Sequence, residues 1–236
     1  MTRGRALRIW LALLAVLLIA GCGTAAPGGG PTAPSPAAGG AVTGPAGDAA
    51  DHAAAGAAAL EAGDLVKAEQ EYRDAVALDP KLARAHFGLG NVYVRLGRLP
   101  EAEQAFKAAL ANDPKLTAAQ ANLGVVYYQL GQLAQAGAAF EAALRLEPDD
   151  AATLYLLAAV RLQENNLAEA EKLLMRAKER NANLPEVYYG LGVLYRLKGQ
   201  KDDAIAAFEK FLAIGPGQDP AAANFARQEL KQLKGQ

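Results

Sequence analysis

From Ala49 onward the sequence repeats itself with a period of 34 residues. Aligning residues 85–114 with residues 119–148 brings glycine onto glycine, tyrosine onto tyrosine and proline onto proline without a gap. The recurring pairs are Gly90 and Gly124, Tyr93 and Tyr127, Gly97 and Gly131, Ala102 and Ala136, Phe106 and Phe140, and Pro114 and Pro148. A fixed period of this length is typical of proteins in which each unit buries its apolar face only against its neighbours. The period therefore predicts a stack of similar units.

Within each period, small and apolar residues recur three and four positions apart, as they do on one face of a helix. The second period has two such faces, formed by Leu89, Gly90 and Tyr93 on a first helix and by Ala102, Phe106 and Ala109 on a second. Gly97 lies between them, where a residue without a Cβ can take the left-handed conformation that ends a helix. Pro114 cannot continue the second helix. Each period therefore predicts a helix, a turn and a second helix.

This period and these positions resemble the tetratricopeptide repeat (TPR) over most of the chain. The resemblance implies an all-α fold, a right-handed α-solenoid of about five helix–turn–helix units. We assign the repeats to residues 49–82, 83–116, 117–150, 151–184 and 185–218. In residues 219–236 apolar residues again recur at helical spacing, which predicts a capping helix over the last repeat.

The fourth repeat departs from the pattern. It has Arg161 where the second, third and fifth repeats have tyrosine, Asn165 and Asn166 at the turn, and Ala182 in place of the proline. Asparagine tolerates left-handed geometry, so we expect the turn to form. The missing aromatic predicts a softer or differently curved joint at this repeat.

The N-terminal residues carry a different signal. Arg3, Arg5 and Arg8 precede an uninterrupted apolar stretch of twelve residues, Ile9 to Ala20. As a helix this stretch spans roughly 18 Å, whereas the hydrocarbon core of a bilayer is about 30 Å thick. A basic start, a short apolar core and small residues after it are typical of a secretory signal peptide, which we assign to residues 1–21.

Cys22 follows directly and is the only cysteine in the sequence. The residues Ile19-Ala20-Gly21-Cys22 resemble the bacterial lipobox. The resemblance implies cleavage before Cys22 and its acylation by a diacylglyceryl group and a further fatty acid such as palmitate. The mature chain would then be anchored to the lipid bilayer on the extracytoplasmic side of the bacterial cell envelope, at the outer membrane in a Gram-negative cell. The alternatives are an ordinary cleaved signal with an incidental cysteine and an uncleaved anchor helix.

Residues 22–48 connect the lipidated cysteine to the repeats. Between Gly23 and Gly47, 25 residues include eight Gly, five Pro and seven Ala, with no charged and no aromatic side chain. Such a composition cannot build an apolar core, so it predicts a disordered linker.

Charge argues against one class of partner. The formal net charge of the whole sequence is -1, which does not supply the basic surface that neutralises nucleic-acid phosphates. We therefore expect no nucleic acid among the partners, and the sequence leaves the oligomeric state open.

Few side chains are available for catalysis or metal binding. His52 and His86 are the only histidines, and they lie 34 residues apart at the same repeat position, which indicates equivalent packing roles. With a single cysteine, neither a zinc site nor a Cys–His pair is available. We expect no enzyme activity, no metal and no cofactor.

In the TPR family, the first helices line a concave groove that binds a peptide or a partner helix. Carrying the family's groove positions over to this sequence gives Arg84, Phe87, Asn91, Tyr128, Tyr155, Tyr189 and Arg196. Aromatic residues and arginine are the types most often found as binding anchors. Packing of the same rings against neighbouring first helices is the alternative, which the sequence leaves open.

The sequence therefore predicts a lipid-anchored TPR protein that acts as a protein–protein adaptor or assembly scaffold in the bacterial envelope. It is similar to envelope lipoproteins of this class that assist pilus secretin assembly, outer-membrane barrel assembly or the control of cell-wall hydrolases, and the pattern leaves the pathway open. The alternative is an envelope subunit whose groove binds a non-protein ligand such as a cell-wall glycan.

Overall fold

The computed structural model describes residues 45–215 and 219–235, and all regular secondary structure in these residues is α-helical. The predicted signal peptide, Cys22 and most of the predicted linker lie outside the described residues. The helices are α1 (Pro45–Glu61), α2 (Leu65–Leu78), α3 (Ala83–Arg95), α4 (Leu99–Asn112), α5 (Thr117–Gln129), α6 (Leu133–Leu146), α7 (Ala151–Gln163), α8 (Leu167–Arg180), α9 (Pro185–Leu197), α10 (Lys201–Ile214) and α11 (Pro220–Lys234). The prediction of an all-helical fold of helix–turn–helix units is confirmed.

The described residues form two compact units. The first unit contains residues 45–113 with helices α1–α4, and the second contains the described residues from 114 to 235 with helices α5–α11. Within each unit the two helices of a predicted repeat pack against each other. Helix α1 begins at Pro45, so the last residues assigned to the linker are helical. Proline is favoured in the first turn of a helix because its missing N–H costs no hydrogen bond there.

The two helices of a repeat meet where a glycine of the first faces a ring of the second. A Cβ added to Gly90 would lie 2.4 Å from a ring carbon of Phe106, and one added to Gly124 would lie 2.6 Å from Phe140. Both rings are fully buried. Carbon atoms pack best at about 3.5–4.0 Å, so no larger residue fits at either glycine unless the ring moves.

The fourth repeat uses a different pair at these positions. It has Ala158 in the first helix and Leu174 in the second, and both side chains are fully buried. Leucine fills less space than phenylalanine, so a methyl group fits where the other repeats need glycine. The two changes therefore compensate each other and keep the interior filled.

The turn between the two helices of a repeat depends on a residue with positive φ. Gly63, Gly97, Gly131 and Gly199 have φ values between 71° and 79°. In the fourth repeat Asn165 has φ 59°, which confirms the prediction that asparagine takes the left-handed conformation at this turn.

Arg161 fills the position of the missing tyrosine in the fourth repeat. Its guanidinium nitrogens lie 2.5 Å from Glu141 Oε1 on α6 and 2.7 Å from Glu164 Oε2 at the end of its own helix. The guanidinium lies beside Gly137 on α6, where an added Cβ would be in ordinary contact with Arg161 Nη1 at 3.4 Å. The Arg161 side chain is 20% exposed. Its carbon stem and two ion pairs thus take the place of the ring.

Helix α11 covers the last helix pair of the second unit. Asp219 caps its first turn by accepting a hydrogen bond from the Ala222 N–H at 2.9 Å. The Phe225 ring lies 5.9 Å from the ring of Tyr189 and 6.2 Å from that of Phe208, measured between ring centroids. The opposite face is exposed and polar, with Arg227, Gln228, Lys231 and Lys234.

Replacing Gly90 with alanine tests the contact between glycine and ring. In a free helix this change would stabilise by about 1 kcal/mol through helix propensity. Overpacking against Phe106 costs about 1–3 kcal/mol, so we expect a net loss in the free energy of unfolding of about 1 kcal/mol. Urea denaturation of the full chain, followed by circular dichroism, measures the change.

The matched variant combines Gly90→Ala with Phe106→Leu, which recreates the pair found at Ala158 and Leu174. We expect the double variant to be more stable than the sum of the two single effects, because residues in contact are not additive. Additive losses would show that Phe106 does not oppose the new methyl group.

Candidate functional site

The predicted groove residues of the first unit lie on one face of α3. Arg84 is exposed, and Phe87 and Asn91 are half-buried. The Phe87 ring packs against the ring of Phe106 with 5.8 Å between the centroids. The Arg84 side chain and part of the Phe87 ring are therefore accessible, three residues apart on the same helix.

The predicted groove tyrosines of the second unit are all buried. Tyr128 on α5 is 1% exposed, Tyr155 on α7 is 2% exposed and Tyr189 on α9 is fully buried. The Gln163 amide donates a hydrogen bond to the Tyr128 hydroxyl. Burial is what the packing alternative requires of these rings, and their role as binding residues stays a prediction.

Tyr189 and Arg196 on α9 connect this helix to the end of the second unit. The Tyr189 ring lies 5.4 Å from that of Phe211, between centroids, in addition to its contact with Phe225. Arg196 Nε lies 3.2 Å from Glu229 Oε2 on α11, and both side chains are mostly buried. Arg196 is thus engaged within the unit by an ion pair.

The tyrosine hydroxyls in this unit are held in their neutral form. Burial, followed by the nearby charges of several groups, raises the pKa of Tyr155 well above its ordinary value. Burial also raises the pKa of Tyr189, and next to it the carboxylate of Asp219 acts in the same direction. Desolvation penalises the phenolate, so each hydroxyl remains an uncharged donor and acceptor at neutral pH.

Two carboxylates of the same unit also have a buried oxygen. The family's groove positions include Glu186 of the fifth repeat, whereas the sequence did not mark Asp219 as a binding group. Glu186 Oε2 on α9 and Asp219 Oδ2 are buried, and no described residue donates a hydrogen bond to either atom. The same holds for the hydroxyl oxygens of Tyr155 and Tyr189. Asp219 had a signal in the sequence, because an acid directly before Pro220 is a typical N-cap. No sequence signal indicated that Asp219 would be buried.

The two histidines occupy equivalent positions but make different contacts. His52 Nδ1 on α1 lies 2.7 Å from Glu71 Oε2 on α2. His86 Nε2 on α3 lies 2.9 Å from the carbonyl oxygen of Pro80. Among the described residues, no group of three or more His, Cys, Asp or Glu side chains is placed to hold a metal ion.

Family comparison accounts for most of the described residues. A tetratricopeptide repeat model matches residues 59–123 and 127–194, and a second one matches residues 185–218. These ranges cover more than half of the sequence. The chain belongs to the tetratricopeptide repeat family.

Solved TPR structures resemble this chain over most of their length. YrrB, a TPR protein with an unusual peptide-binding site, is 25% identical with a TM-score of 0.62, covering 76% of this chain and 92% of YrrB. Pseudomonas aeruginosa pilF is 22% identical with a TM-score of 0.67, over 80% and 90% of the two chains. MamA of Desulfovibrio magneticus RS-1 is 20% identical with a TM-score of 0.65, over 73% and 97%.

No curated protein matches the chain. Within residues 45–215 and 219–235, no helix combines the length and the apolar character needed to cross a membrane.

The ion pair between His52 and Glu71 predicts a pH-dependent stability of the first TPR unit. The hydrogen bond between His52 and Glu71 raises the pKa of His52. Desolvation lowers this pKa by a smaller amount, and the negative charges of Asp74 and Asp48 raise it further. Asp51 also lines this site. The stabilisation is fully present below the unfolded pKa of about 6.5 and is lost as pH rises through the higher folded pKa. We expect the melting temperature to fall between pH 6 and pH 8 in thermal scans of the full chain.

The control for this prediction is His52→Gln, which keeps a polar side chain but cannot titrate. We expect its melting temperature to change less over the same pH range. An unchanged pH dependence in this variant would assign the effect to another group.

Proposed function

We propose that this protein is a membrane-anchored TPR lipoprotein that acts as a protein–protein adaptor or assembly scaffold in the bacterial cell envelope. The observation that carries the adaptor function is the accessible face of α3, where Arg84 is exposed and Phe87 half-buried. Aromatic and arginine side chains are the common anchors of protein interfaces. YrrB, a TPR protein with a peptide-binding site, supports the same use of the fold.

The membrane anchor rests on the sequence alone. The short apolar stretch from Ile9 to Ala20 and the lipobox-like residues ending at Cys22 support it. Two or more acyl chains hold a protein at a bilayer far more firmly than one, because each buried methylene contributes about 0.8 kcal/mol. A protein attached in this way would meet its partner within reach of the linker, residues 22–48.

Site-specific crosslinking tests the adaptor function in the native cell. A photoreactive residue placed at Phe87 is expected to capture one defined protein, which mass spectrometry identifies. The matched position is Ala111, which is exposed on α4, a second helix of the same unit. Capture from position 87 alone supports the proposal. Equal capture from both positions, or binding of the purified chain to isolated cell wall without a protein adduct, would contradict it.

The variant Cys22→Ser tests the anchor. We expect an unprocessed precursor that incorporates no labelled fatty acid, because the thiol is the acceptor of the lipid. Metabolic labelling with a palmitate analogue and gel mobility provide the two readouts. Normal maturation and labelling of the variant would contradict lipidation at Cys22.

A further inference from the structure

The second unit holds six buried side-chain polar atoms that make no hydrogen bond within the described residues. Two of them are donors, Arg196 Nε and Gln129 Nε2. The other four are the hydroxyls of Tyr155 and Tyr189, Oε2 of Glu186 and Oδ2 of Asp219, from α7, from α9 and from the residue that precedes α11. We call the four residues that carry these oxygens the polar cluster.

Packing shows that the cluster is compact. A Cβ added to Gly190 on α9 would lie 3.3 Å from a ring carbon of Tyr155, so this ring lies against α9. Glu186 lies one helical turn before Gly190, and Tyr189 is its neighbour in the chain. Contact between the rings of Tyr189 and Phe225 joins α9 to α11, the helix that Asp219 caps.

An electrostatic observation agrees with this geometry. The charges of Glu186 and Asp219 both contribute to raising the pKa of Tyr155, after the larger effect of burial. Tyr189 and Tyr128 act on Tyr155 in the same direction and contribute more than the two carboxylates. Arg196 also faces Tyr189, but its Nε lies 3.2 Å from Glu229 Oε2. Arg196 thus supplies one positive charge against the three carboxylates of Glu186, Asp219 and Glu229.

Leaving such atoms unpaired costs free energy. A buried polar group without a hydrogen bond costs about 1–3 kcal/mol, and more if it is charged. The cost is recovered when a ligand brings donors to all four atoms. A guanidinium group has five N–H donors in a planar fork and a permanent positive charge, and its face packs on aromatic rings. It therefore matches two carboxylates beside two tyrosines.

The helices that carry the polar cluster also bury apolar residues. Leu156, Ala159 and Val193 are buried on the same helices. Glu186 is half-buried, and Ala152, one turn before Tyr155, is exposed. The N-terminal ends of α7 and α9 are therefore the accessible parts of these helices nearest to Tyr155 and Tyr189 in the sequence.

We propose that the second unit recognises an arginine side chain, presented by an otherwise apolar segment of the partner protein, through Tyr155, Tyr189, Glu186 and Asp219. This inference rests on the adaptor function proposed above. Glu186 and Asp219 accept from the guanidinium and neutralise it, and the two hydroxyls accept its remaining N–H groups.

Peptide binding to the full chain tests this recognition. The probe is a fluorescent alanine–leucine helical peptide with one central arginine, and its matched peptide has citrulline, a neutral isostere, at that position. We expect the arginine peptide to bind at least about tenfold more tightly, in line with coupling energies of close charge pairs across interfaces. Fluorescence anisotropy measures both affinities.

Two variants locate the effect. Glu186→Gln is expected to remove most of the preference for arginine over citrulline. Glu179→Gln changes the net charge equally at an exposed position on α8 and is expected to keep the preference. Tyr155→Phe removes a hydroxyl that has no protein partner, so it is expected to keep the fold, measured by thermal melting, while weakening arginine binding.

The outcomes separate this inference from the proposed function. Equal affinity for both peptides, or no binding of either, overturns arginine recognition, while capture of a protein from position 87 still supports an adaptor. If a peptide with lysine in place of arginine binds as tightly as the arginine peptide, the site recognises any cation, and specific recognition of a guanidinium is wrong.

Discussion

The fold depends on the packing of a large aromatic side chain against glycines, which have no side chain. In the first unit the ring of Tyr72 faces Gly56 of its own repeat, where an added Cβ would lie 3.0 Å away, and Gly88 of the next repeat, where it would lie 2.2 Å away. One ring therefore joins three helices. Burying a ring of this size contributes about 1.5–3 kcal/mol relative to leaving it in water, and the glycines allow the helix backbones to approach closely enough for that burial.

The same constraint explains where the repeats vary. In the fourth repeat the larger Ala158 stands at the glycine position and the smaller Leu174 at the ring position, and both are fully buried. Charge is matched as well, because Arg161 pairs with Glu141 and Glu164. A solenoid tolerates such local substitutions because each repeat contacts only its neighbours.

The first helices separate into accessible and buried parts, and this separation shapes the functional proposals. On α3 an aromatic and an arginine side chain reach the surface, which suits an interface anchor. On α7 and α9 the corresponding tyrosines are buried with hydroxyls that no described residue satisfies. Since buried polar groups are normally hydrogen-bonded, their arrangement indicates a role beyond packing, and the two neighbouring carboxylates favour a cationic ligand.

The sequence by itself determined the helix pairs, the turn residues and the small positions, because a 34-residue period repeats the same steric requirement and each repetition strengthens the inference. It also indicated that Asn165 would replace a turn glycine, since few other residues tolerate positive φ. It did not determine which groove residues are accessible. Phe87 and Tyr155 occupy the same repeat position, yet Phe87 is half-buried and Tyr155 is buried.

Only the tertiary structure decided that difference, because the burial of a side chain depends on neighbours that are distant in the chain. The ring of Tyr155 on α7 lies against Gly190 on α9, and Asp219 before α11 also has a buried oxygen without a hydrogen bond. Local periodicity shows which face of a helix points inward, whereas the polar atoms that meet there are set by how successive helices pack.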